Sequence, residues 1–168
     1  MGCEFKLARW MVVLFATVGV TSCGGGGMSF NEGKRGVADL VDATYEAELQ
    51  DLSPRPFGRV AVPCRSAGGA GAATGEYVPT GALEFSIAET EDADRLVARV
   101  KAYWEQKGYR VQQVPGPALL AQTDGYQMSF DVTLKARRAL LGATGPCAEP
   151  ESEEARKAPP DFRSLKGP

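Results

Sequence analysis

The stretch TDGYQMSFDVTL, residues 123–134, decides the fold class. Tyr126, Met128, Phe130, Val132 and Leu134 alternate with polar residues, and a period of two places them on one face of a strand. Asp124-Gly125 just ahead is a hairpin signal, because a tight two-residue turn needs positive φ, which these residues tolerate. Ala118–Thr123 is therefore expected to pair antiparallel with the alternating run. Pro115-Gly116-Pro117 turns the chain before that, and Tyr109–Val114 reads as a further strand. Downstream, Lys135–Arg138 makes a polar turn and Ala139–Thr144 returns as a last strand.

Upstream, apolar residues fall at Ala93, Leu96, Val97, Val100, Tyr103 and Trp104, which is helical spacing. Thr90 is the expected N-cap. Glu91, Asp92 and Asp94 sit in the first turn, where the helix dipole favours negative charge, and Gly108 is placed to close the helix in the left-handed conformation. Glu76–Ala88 is expected to be a strand, with Leu83, Phe85 and Ile87 on one face and Pro79-Thr80-Gly81 interrupting its start. Arg59–Arg65 is a short strand that Pro63 confines to a sheet edge, and Ser66–Gly75 is a loop. Val37, Leu40, Val41, Tyr45, Leu49 and Leu52 share one face of a first helix, stopped at Ser53-Pro54. The order predicts an α+β fold with two helices on one face of a largely antiparallel sheet, over residues 34–147. Residues 148–168 hold four glutamates and few apolar side chains, and a disordered tail is expected there.

At 168 residues one domain is expected, and the net charge of −2 removes the basic excess that nucleic-acid binding needs. The absence of histidine excludes Ser-His-Asp and Cys-His catalysis and histidine metal sites. Gly68–Gly75 follows a strand but opens no helix, so it lacks the N–H groups that would meet a phosphate. The acids from Glu89 to Asp94 lack the order of a calcium loop and read as a helix start. Glu84 and Asp131, the carboxylates a histidine-free hydrolase would draw on, fall on outward strand faces and read as solvated charge. Tyr103 and Trp104 cannot both face inward, so one of them is free to line a binding surface. No cofactor or metal is expected.

The first residues carry Lys6 and Arg9 and lead into WMVVLFATVGV, residues 10–20. As a helix that run rises only about 16 Å, short of the roughly 30 Å of a bilayer core, which fits a secretory signal rather than a span. Val20-Thr21-Ser22-Cys23 then resembles the lipobox of bacterial lipoprotein precursors. The resemblance implies removal of residues 1–22, a diacylglyceryl group on Cys23, and a Gly-rich linker over residues 23–33. Two acyl chains on one sulfur give the burial that stable anchoring takes.

On that reading Cys3 is discarded, Cys23 is consumed, and Cys64 and Cys147 remain outside the membrane, where oxidation prevails. They are expected to form one disulfide, with two independent thiols as the alternative. Pro63-Cys64 and the ending Thr144-Gly145-Pro146-Cys147 are similar to motifs of small lipoproteins of high-GC Gram-positive bacteria. The expectation is a lipid-anchored, non-enzymatic binding or interaction domain on the extracytoplasmic face of the cell membrane. Its partners would be the membrane, through the anchor, and an envelope protein or small ligand. The alternative is a histidine-free envelope enzyme using carboxylates.

Overall fold

A computed structural model describes residues 28–65, 73–90 and 92–166. The lipobox, Cys23 included, lies outside them, as does most of the loop read from Ser66. The elements are α1 (Phe30–Glu48), β1 (Pro54–Phe57), β2 (Ala61–Arg65), β3 (Ala73–Ser86), α2 (Ala93–Gln106), β4 (Arg110–Val114), β5 (Ala118–Thr123), β6 (Tyr126–Thr133), β7 (Arg138–Thr144) and α3 (Glu153–Lys157). All strand pairs are antiparallel, in the order β1-β3-β7-β6-β5-β4. The long β3 carries β2 and β1 one after the other along the same edge. The α+β class is as expected: α1 lies over β3 and β7, and α2 over β4, β5 and β6.

One core sits between helices and sheet. Val37 and Val41 of α1, Leu96, Val100 and Trp104 of α2, and Leu83, Phe85, Met128, Phe130 and Leu141 of the strands are buried there. Between the two neighbouring aromatics of α2, the structure buries Trp104 and leaves Tyr103 partly buried at the margin. The Trp104 indole N–H donates to Thr44 Oγ1 at 3.0 Å and so ties α2 to α1. A buried indole left without such a partner would cost about 1–3 kcal/mol.

Several boundaries move. α1 starts at Phe30 rather than Val37, because Ser29 and Glu32 form a capping box in which each side chain accepts the other's backbone N–H. The linker read as residues 23–33 therefore ends by Ser29. Asp92 rather than Thr90 caps α2, accepting from the N–H groups of Asp94 and Arg95, while Gly108 takes φ +78° as expected. β3 runs unbroken through Pro79, whose carbonyl accepts from the Gly145 N–H at 2.9 Å. The alternation of β6 stops at Thr133, and Leu134 enters a 3-10 turn with its side chain exposed.

The largest correction concerns residues 148–168, expected to be disordered. The described part of this segment, through Lys166, runs back along α1 as a strap. Asn31 N–H donates to Glu151, Lys34 donates to the Ala155 carbonyl at 3.0 Å, and the buried Asp42 carboxylate accepts from the backbone N–H groups of Arg163 and Ser164 at 2.8 and 3.2 Å. Phe162 is buried in the domain core. Gly81 makes this possible: a methyl group there would stand 2.8 Å from both the Phe162 ring and Pro160. The segment needs no core of its own, since it uses the domain's core to offset its ordering entropy.

Candidate functional site

Cys64 and Cys147 form a disulfide, with Cα atoms 6.2 Å apart across 83 positions of sequence. Pro63 and Ala148 both pair with Tyr77 of β3, so the disulfide ties β2 to the segment after β7 where both meet β3. Cys64 is buried and Cys147 exposed.

The helices cover one face of the sheet; among the described residues no helix packs on the other. Register fixes what that open face presents. Gln112, Leu120, Ser129, Gly142, Ala82 and Phe57 stand side by side across six strands. The middle of this row is small, and its flanks are the exposed Leu120 (40% exposed) and Phe57 (45%). With Val62, Thr80, Leu140 and Thr144 they form a shallow groove of about 390 Å³ in which, among the described residues, Arg59 is the only charged side chain. Exposed apolar side chains gathered around a floor without bulk are what a partner's apolar surface packs against.

One row over, Glu84 and Asp131 both stand opposite Leu140. The structure thus brings the two candidate carboxylates onto one line, roughly 10 Å apart at two strand spacings. Glu84 is not solvated charge, however. It is 7% exposed, with Arg55 donating to one oxygen at 2.6 Å and Arg138 to the other at 2.9 Å. Both of its oxygens are thus engaged by guanidinium groups of neighbouring strands. Asp131 accepts the Thr133 hydroxyl at 3.0 Å and does not line the groove. The cluster anchors β1 to β7 across β3.

Burial pushes the Tyr103, Tyr109 and Tyr126 hydroxyls up, and nearby carboxylates add to the effect at each, Asp124 at Tyr109 among them. Lys34 is pushed down by burial, with Glu151 opposing. None of these groups lines the groove. No group of three or more Cys, Asp or Glu able to hold a metal occurs among the described residues, and none of their helices is long and apolar enough to cross a membrane. The groove residues went unremarked in the sequence, since no local motif marks them; only the lateral register joins Phe57 to Leu120.

Compared with family models, with curated proteins and with solved structures, the chain matches none.

Proposed function

We propose that this chain is a lipid-anchored protein of the cell envelope that binds a partner through the open sheet face, without catalysis. The observation that carries the binding role is the groove between Phe57 and Leu120, apolar at its flanks and free of carboxylates. The anchor rests on the run from Trp10 to Val20 and the lipobox-like Val20-Thr21-Ser22-Cys23. Anchoring confines the domain to a surface and raises its effective concentration for other envelope components.

Two measurements test the two halves. Labelling cells with a palmitate analogue marks the wild-type chain and not Cys23→Ala; an unlabelled wild type overturns the anchor. A photo-crosslinking side chain at Leu120 captures a partner, whereas one at Ala102, exposed on α2, does not. Equal capture at both sites, or none at either, overturns the binding face.

A further inference from the structure

The two edges of the sheet differ in kind. The β1/β2 edge carries Pro54, Pro56 and Pro63, each without an N–H to offer, and its register breaks between Pro63 and Arg65. Such an edge cannot template another strand. The opposite edge is β4, RVQQV, with no proline and no bulge, and among the described residues only β5 pairs with it. Beside it lies a row of partly buried apolar groups, Tyr103, Tyr109 and Val111, half covered by the core. A five-residue edge without proline or bulge, next to incompletely covered side chains, is a strand-pairing surface.

We propose that β4 pairs antiparallel with β4 of a second copy of this chain, about a two-fold axis at Gln112. The sequence suits this register. Arg110 faces the partner's Val114, Val111 faces Gln113, and Gln112 faces itself, so no like charges are opposed. The two Arg110 side chains are four residues apart along the strands, roughly 13 Å, beyond the screening length of about 8 Å. Tyr109 comes opposite Pro115, giving its half-covered ring an apolar neighbour. Closure selects two copies: each chain has one usable edge, an isologous contact consumes both, and the proline-blocked edges stop growth. Leu120 pairs beside Gln112, so the open faces of the two copies join into one surface across the axis.

The full chain in membranes of the expressing cells supplies the test. Gln112→Cys treated with a short bis-maleimide gives a band at twice the chain mass; Thr133→Cys, exposed on β6 two strands in from the edge, does not. Gln112 is exposed and its side chain makes no hydrogen bond among those of the described residues, so substitution there leaves the fold intact. With the reporter cysteine moved to the exposed Gln113, Gln112→Lys and Gln112→Glu each lower the crosslinked dimer fraction about fivefold by setting like charges face to face, and co-expressing the two restores it. Absence of the band at position 112, equal bands at 112 and 133, or failure of the charge pair to restore dimer overturns the proposal. A Gln112→Cys adduct of any other mass also overturns it, since a foreign strand then occupies the edge.

Discussion

Replacing Cys64 and Cys147 together by serine removes the clamp that ties β2 to the segment after β7. The two positions are 83 residues apart. On the loop-entropy account, a closed loop of that length stabilises the folded chain by about 4.5 kcal/mol at 25 °C. Stabilities of single domains run from about 5 to 15 kcal/mol, so the loss is a large share of the whole. With a urea slope of 1.5–3 kcal/mol per molar, the unfolding midpoint falls by about 1.5–3 M, and the slope rises somewhat as the uncrosslinked denatured chain exposes more surface. The assay is urea unfolding followed by far-ultraviolet circular dichroism, on the wild type with and without reductant and on the double variant. Reduced wild type and double variant should coincide. The effect should concentrate at β2, which among the described residues holds to the sheet through β3 alone, so its amides exchange faster even where the rest of the sheet stays closed. A midpoint shift below about 0.5 M would refute the loop-entropy reasoning.

Phe162→Ala should free the strap. The loss is about 2–3 kcal/mol, below that of an interior phenylalanine because the segment leaves as a unit; hydrogen exchange should quicken over residues 153–166 while β6 and β7 stay protected. Thr44→Val should cost about 1–3 kcal/mol by orphaning the Trp104 indole N–H, read as a lower denaturant midpoint with near-native circular dichroism. Because Tyr103, Tyr109 and Tyr126 are raised in the folded state, chiefly by burial, their contribution is fully present below the ordinary tyrosine value of about 10 and is lost as pH climbs through the raised values. Stability should therefore fall above about pH 10, and tyrosinate absorbance should appear late and rise with unfolding. Ser29→Ala should cost about 0.5–2 kcal/mol through the capping box and fray the first turn of α1, visible as faster exchange at Asn31 to Gly33.

Where local pattern and burial agree, the sequence was readable. Tyr126 to Val132 alternates because one face of β6 meets the core, and Ala93 to Trp104 follows a helix for the same reason. The cysteine pairing followed from counting. The misses share a physical cause, dependence on partners distant in the chain. Pro54-Arg55-Pro56-Phe57 reads as anything but a strand, yet it holds its place at an edge where its missing N–H groups face no neighbour. The first two turns of α1 contain Gly33 and Gly36, which weaken any helical pattern; the Ser29-to-Glu32 spacing was the one local signal, and it went unread. The last segment looked too polar to fold, but a few residues decide it: Asp42 binds its backbone, and Gly81 leaves room for Phe162. The groove could not be read at all, because its floor and its walls belong to different strands.

The strap also sets a timetable. The partners of Asn31, Lys34 and Asp42 lie 120, 121 and 121 residues further along the chain. A chain that emerges amino end first makes α1 early and completes its surroundings last. Such separations slow folding, since distant segments must meet before their contacts reward the search. Until Phe162 arrives, the surface at Gly81 that its ring covers stays bare.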